Sequence, residues 1–350
     1  MWLRTRARHA RHRSASPHPP TPYRAPRWLH GGHAQTIWPY RLPRPRVPLR
    51  RERVETPDGD FWDFDWLDGN ATPDAPLVVL FHGLEGGSMS HYARALFARL
   101  AQLHWQAVVP HFRGCGGAAN RLPRAYHSGD YAEVAAMLEA IRARREASHV
   151  YAVGVSLGGS ALLNWLGRAG DHALRIVTAA AAVSAPLDLQ AAGAAIDRGM
   201  NRIYARHFLA TLKPKSLAIA ARFPGRLDTS RIRRVRTMWE FDDAVTAPLH
   251  GFAGTHDYWT RASSKPWLAK IRVPTLVLNA RNDPFIPAQS LPRRDEVSSA
   301  VTLEQPMHGG HVGFAHGRFP GRVDWLPARL LHYFSTIDLR QVSDTCQTRV

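Results

Sequence analysis

The chain has 350 residues, 45% hydrophobic and 21% charged. That balance is ordinary for a soluble globular protein, with length for one large domain carrying an insertion or for two domains, and a core that needs no metal or disulfide staple. Its formal net charge of +18 invites a nucleic-acid or anionic-membrane partner. The basic residues are almost all Arg, however, and part of the excess is local, because no acidic residue precedes Glu52. Sequence-specific reading of nucleic acid is therefore not expected.

Residues 1–27 are rich in Arg, His and Pro, the composition of a disordered basic arm, of a transit-like leader, or of an over-extended start. A weak peripheral contact of this arm with an anionic membrane is the one charge-driven alternative left open. The arm lacks an apolar h-region, and no stretch approaches the ~20 uninterrupted apolar residues of a membrane span. Cys115 lies in a Gly-rich turn and Cys346 near the C-terminus. That pairing makes a structural disulfide unexpected and a reducing, cytoplasmic compartment the natural setting.

Two short runs, 53–56 and 61–66, flank Pro57-Asp58-Gly59, a hairpin signal. The continuous apolar run 77–81 reads as a strand buried on both faces. A loop, His82-Gly83-Leu84-Glu85-Gly86-Gly87, leads into a helical pattern over 90–103. The theme repeats as strand 107–112 and helix 131–145, then strand 149–154 and helix 157–166, then strand 176–184. Such alternation implies a parallel sheet with helices on both faces. From about 187 to 270 the rhythm breaks into helix-like pieces, aromatics and charges, which reads as an inserted helical cap. Strands resume at 274–280 and 301–303, a final helix is expected over 326–334, and residues 336–350 read as a loose tail. The core is thus expected in two parts, 28–186 and 271–335.

Gly154-Val155-Ser156-Leu157-Gly158 follows an apolar strand and opens a small-residue helix, the setting of a nucleophile elbow. A Ser exposed on such a strained turn needs glycine neighbours, and the helix N-terminus favours developing negative charge. A bare G-x-S-x-G also arises by chance, with the Ser merely capping a helix. A hydroxyl needs a base, itself oriented by a third group. Asp283, just after the strand 274–280, and His311, set between glycines beyond the last strand, supply these in the order Ser, acid, base. The rivals are Asp188, which reads as a helix N-cap, and His308. The backbone N–H of Leu157 and that of Leu84 are the candidate oxyanion donors. His82 reads as a loop-ordering residue.

These pieces together resemble the YheT-like branch of the α/β-hydrolases, candidate esterases related to the mammalian ABHD lipid hydrolases and to yeast medium-chain acyltransferases. The matching residues are Leu29-His30-Gly31-Gly32-His33-Ala34-Gln35-Thr36-Ile37, His82-Gly83-Leu84-Glu85-Gly86 and Phe112-Arg113-Gly114-Cys115-Gly116-Gly117 with Asn120-Arg121. Tyr126-His127-Ser128-Gly129-Asp130, the elbow, Asn282-Asp283 and Gly310-His311-Val312-Gly313-Phe314 complete them. The resemblance spans about 28–334 and implies an α/β-hydrolase fold, the triad Ser156, Asp283 and His311, and acyl-ester substrates. One departure is Ala118, where such proteins often carry an acidic residue, so the contacts of that loop stay open.

Arg113 and Arg121 read as loop-bracing ion pairs, with steering of an anionic head group as the alternative. His30 and His33 lack nearby carboxylate or cysteine partners, so neither metal nor cofactor is expected. Asp130 reads as a helix cap. Trp239, Phe241, Phe252, Tyr258 and Trp259 line an acyl pocket or form ordinary cap core; both readings stand. The expected function is hydrolysis of short- to medium-chain carboxylic esters through an acyl-enzyme. The alternatives are acyl transfer to an alcohol by the same nucleophile, or a non-catalytic binding protein on this scaffold.

Overall fold

The computed structural model describes residues 22–347. The expectations for the first 21 residues of the basic arm, for residues 348–350 and for the Cys346 side chain lie outside the described residues. Helix α1 (Gly32–Arg41) precedes the antiparallel hairpin β1 (Leu49–Glu55) and β2 (Phe61–Leu67). Then follow β3 (Leu77–Phe81), α2 (His91–Gln102), β4 (Gln106–Pro110), α3 (Tyr131–Arg142), β5 (Val150–Val155), α4 (Leu157–Ala169), α5 (Asp171–Leu174) and β6 (Ala179–Val183). Helices α6 (Leu189–Ile196), α7 (Arg202–Arg222), α8 (Thr229–Arg234), α9 (Met238–Phe241), α10 (Ala247–His250) and α11 (Thr255–Ala262) separate β6 from β7 (Thr275–Leu278). Strand β8 (Val301–Glu304) and helix α12 (Trp325–Gln347) close the order.

The eight strands form one sheet in the order β1-β2-β4-β3-β5-β6-β7-β8; β1, β2 and β4 pair antiparallel and the remaining pairs are parallel. Strand periodicity divides the core. In β3, Leu77, Val79 and Phe81 pack with α3 and α4, whereas Val78 and Leu80 pack with α2 and α12. A strand covered on both faces cannot afford a polar position, which is why β3 reads as an unbroken apolar run. The long segment between β6 and β7 has its own cluster, including Ala205, Leu209, Ile232, Phe241 and Val245.

The hairpin carries charge inward. Asp63 and Asp65 on β2 are buried, and the register sets Arg53 opposite Asp63 and Arg51 opposite Asp65. Both pairs are bidentate, at 2.9 and 3.2 Å and at 2.7 and 2.8 Å. Burial alone would raise Asp65, but hydrogen bonds from Arg51, His111 and Ser88 hold it well below the usual carboxylate range.

Two expectations need correction. The expected loose tail after Ser335 is helical over its described residues: α12 runs on to Gln347. The Ser335 and Thr336 hydroxyls donate back to Leu331 O (2.9 Å) and Tyr333 O (2.7 Å), and Tyr151 Oη donates to Asp338 (2.5 Å). Asp130 precedes α3 but makes no capping bond; its carboxylate takes Arg124 instead, at 2.8 Å. Asp188, by contrast, does cap α6, accepting from the Ala191 N–H at 3.0 Å.

Candidate active site

Ser156 sits between β5 and α4 with φ 53° and ψ −121°, a conformation costly for any residue with a Cβ. The surroundings hold it there: the Ser156 N–H donates to Val183 O on the neighbouring strand at 2.8 Å. A Cβ at Gly158 would lie 2.5 Å from the carbonyl oxygens of both Phe81 and His82, so the elbow closes only on glycine.

The three predicted side chains come together at the C-terminal edge of the sheet. Ser156 Oγ lies 2.9 Å from His311 Nε2, and His311 Nδ1 lies 2.8 Å from Asp283 Oδ2. Asp283 is buried, and its Oδ1 accepts the Phe285 N–H at 2.8 Å, so both oxygens are directed. A carboxylate can only accept, so Nδ1 carries the imidazole proton and Nε2 presents its lone pair to the serine hydroxyl. The Phe285 ring lies against the imidazole at 4.4 Å between centroids, an apolar support that sequence reasoning missed.

His82 is fully buried. Its Nε2 accepts the Phe112 N–H (3.1 Å), so Nδ1 is the protonated nitrogen and donates to Gly83 O (2.8 Å). Burial pushes its pKa down to about 3. It ties the loop to the next strand, as its sequence setting suggests. The loop passes beside the serine, since a Cβ at Gly83 would fall 3.1 Å from Ser156 Cβ. The Gly83 N–H donates to Tyr92 Oη and the Glu85 N–H to Tyr126 Oη. The intervening Leu84 N–H and the Leu157 N–H find no partner among the described residues, and both residues line the pocket with Ser156.

That pocket has a cavity of ≈ 190 Å³. Its far wall comes from the segment between β6 and β7, through Leu189, Ile196, Leu212, Ile219, Phe241 and Val245. Of the five cap aromatics, Phe241, Tyr258 and Trp259 line it; Trp239 is exposed and Phe252 faces elsewhere. A larger open groove of ≈ 1050 Å³ lies by Arg124, Arg168 and Arg261, but Ser156, Asp283 and His311 do not line it.

Arg113 is buried and braces the loops through Glu133 (2.7 Å), Asp60 (3.0 Å) and Asp58 (2.9 Å), while Arg121 pairs with Glu55. The loop containing Ala118 is held by the Gly114 N–H on Asn120 Oδ1 (2.5 Å) and by Arg51 on Gly116 O. His308 is exposed, and the histidine that Ser156 Oγ meets is His311. His33 Nδ1 meets Tyr204 Oη at 3.1 Å, and no group of His, Cys, Asp and Glu fit to hold a metal occurs among the described residues. No described helix is long and apolar enough to cross a membrane.

The α/β-hydrolase fold family matches residues 76–317 of this chain. The chain belongs to that family. Within it the chain is YheT-like: YheT of Escherichia coli (strain K12), itself named as a candidate esterase, is 38% identical over 311 residues, 87% of this chain and 90% of the relative. Phospholipase ABHD3 of Mus musculus is 29% identical over 308 residues, 85% of this chain and 74% of the relative. Among solved structures, the esterase Pf2001 of Pyrococcus furiosus has a TM-score of 0.53 at 14% identity, covering 84% of this chain and 93% of its own, a likeness of fold alone. This α/β-hydrolase therefore has relatives named as esterases and lipases.

Proposed function

We propose that this α/β-hydrolase is a serine carboxylic-ester hydrolase acting through an acyl-enzyme on short- to medium-chain acyl esters. The observation that carries the reading is the continuous hydrogen-bonded series Ser156–His311–Asp283, whose first two members line a largely apolar pocket. Ser156 Oγ bonds to the ester carbonyl carbon while His311 Nε2 takes its proton, and Asp283 steadies the imidazolium through Nδ1. The Leu84 and Leu157 N–H groups receive the oxyanion, the second at the N-terminus of α4. Collapse expels the alcohol, which takes the proton from His311. Water repeats the sequence and releases the acid.

The chain-length assignment rests on size and polarity. A cavity of ≈ 190 Å³ is smaller than the roughly 300–1,000 Å³ typical of sites for drug-sized ligands. Its aliphatic far wall suits an acyl chain more than a large polar group. The test is turnover of p-nitrophenyl esters of graded length and labelling by a fluorophosphonate, by wild type and Ser156→Ala. Wild type is expected to label and turn over, with loss of both in the variant. Labelling that survives in Ser156→Ala, or a folded wild type inert to both reagents, would overturn the assignment.

A further inference from the structure

The segment 29–37, conspicuous in the sequence, takes no part in the acyl-transfer steps. It nevertheless lies against both loops that carry the base and the acid. Gln35 is almost wholly buried, and each of its amide atoms is used. Its Oε1 accepts the Gly309 N–H and an Asn282 Nδ2–H, both at 2.9 Å, and its Nε2 donates to Leu29 O at 2.9 Å. Asn282 Oδ1 in turn accepts the Gly310 N–H at 3.1 Å. The Thr36 hydroxyl accepts the N–H of His311 itself at 2.9 Å and donates to Gly32 O at 2.7 Å.

The fit leaves no slack. A Cβ at Gly313 would lie 1.9 Å from Gln35 O, and one at Gly32 would lie 2.0 Å from Asn282 O. The clamped loop also holds two residues in the left-handed region, Val312 at φ 59° and Phe314 at φ 42°. Such conformations persist only where the surroundings over-determine them. The Val312 N–H on Ser184 Oγ (3.0 Å) and His91 Nε2 on Val312 O (3.3 Å) supply part of that restraint from the sheet edge and α2, and α1 supplies a further part through Gln35 and Thr36.

We propose that Gln35 and Thr36 are positioning residues, through which α1 clasps the acid loop to the base loop and sets the His311 ring in reach of Ser156 and Asp283 together. The inference rests on the acyl-transfer reading but adds to it. His311 must satisfy two hydrogen bonds, at 2.9 and 2.8 Å, from a loop of strained backbone. Sites of this kind tolerate about 0.5 Å of error, and their precision comes from the supporting shell. Thr36 pins the His311 backbone nitrogen, one bond from the Cα that bears the ring.

The experiment compares wild type with Thr36→Val, which keeps the shape but cannot accept the His311 N–H, and with Thr36→Ser, which can. In Thr36→Val kcat on a p-nitrophenyl ester falls about 10- to 100-fold, the cost of a displacement near 1 Å, with KM little changed. Thr36→Ser recovers most of that loss. The downfield proton resonance of His311 Nδ1–H on Asp283 broadens or moves upfield in Thr36→Val and persists in the other two. An unaltered resonance in Thr36→Val, or an equal loss in Thr36→Ser, overturns the clasp even if melting temperatures differ. The resonance does not depend on turnover. If it responds as stated while wild type neither hydrolyses esters nor labels, the clasp stands and the acyl-transfer reading falls.

Discussion

Two walls enclose Ser156, and they are built on opposite principles. The sheet-edge wall is polar and backbone-held: the elbow, the 82–86 loop, Asp283 and His311 are each fixed by hydrogen bonds that involve a backbone N–H. The helical wall between β6 and β7 is a set of aliphatic and aromatic side chains packed on a separate cluster. Directional bonds tolerate little displacement, whereas apolar packing accepts volume-conserving change. On the proposed acyl-transfer reading, chemistry therefore belongs to the first wall and substrate selection to the second.

The largest expected break in this comparison is on the sheet wall. Ser156→Ala is expected to lower kcat by ~10⁴ to 10⁶ on every ester, whatever its chain length; a loss confined to long esters would abolish the division of labour. On the helical wall, Gly193 accepts no side chain, because a Cβ there would lie 2.1 Å from the Trp259 ring. Gly193→Val displaces that pocket-lining ring at a cost of about 1–3 kcal/mol. Steady-state kinetics should show a raised KM for longer esters with kcat on an acetyl ester retained.

The walls also differ in the sign of their pH dependence. His82, under the sheet wall, is neutral when folded, with burial pushing its pKa down to about 3 from an ordinary 6.5. The unfolded chain then binds the extra proton, so this stability is complete above pH 6.5 and drains as pH falls toward 3, at up to about 1.4 kcal/mol per pH unit. His127 and His250, also pushed to about 3 by burial, face each other at 4.5 Å where the core meets the helical segment, and add to the acid loss. Urea unfolding from pH 7 to 4.5 should show a steep loss, and a flat profile would contradict their burial as neutral groups.

Asp242 on the helical wall works in reverse. Burial raises its carboxyl to about 6, although it accepts from Thr246 Oγ1 (2.6 Å) and Trp259 Nε1 (2.8 Å). Its folded pKa lies above the unfolded value, so its contribution is present below pH 3.8 and lost as pH rises through 6. Asp242→Asn is accordingly expected to raise Tm by about 2–4 °C at pH 8 and by roughly half as much at pH 5. This is the smallest of the four effects, and calorimetry at the two pH values checks it.

The clasp shows where reading from sequence stops. Ser156 announces itself because its glycines lie two positions away and answer a local steric demand. Gln35 meets Asn282 and Gly309 across 247 and 274 residues, and nothing beside it in the chain marks it as a hydrogen-bonding hub. Asp130 was legible as an acidic residue before a helix but not as the partner of Arg124, because cap and ion pair share the same local sequence. The end of α12 failed similarly: Ser335 and Thr336 resemble a helix stop until their hydroxyls are seen bonding back into the helix.

By itself the amino-acid sequence determined the alternation of strands and helices, the mostly parallel sheet, the elbow and the candidate acid and base, since each follows from periodicity, chain order or a motif a few residues long. Only the tertiary structure decided that Ser156, His311 and Asp283 stand within 2.9 Å of one another in succession, which cap aromatics reach the pocket, and that α1 holds the two loops. Those facts depend on distances between residues remote in the chain, and local pattern carries no information about such distances.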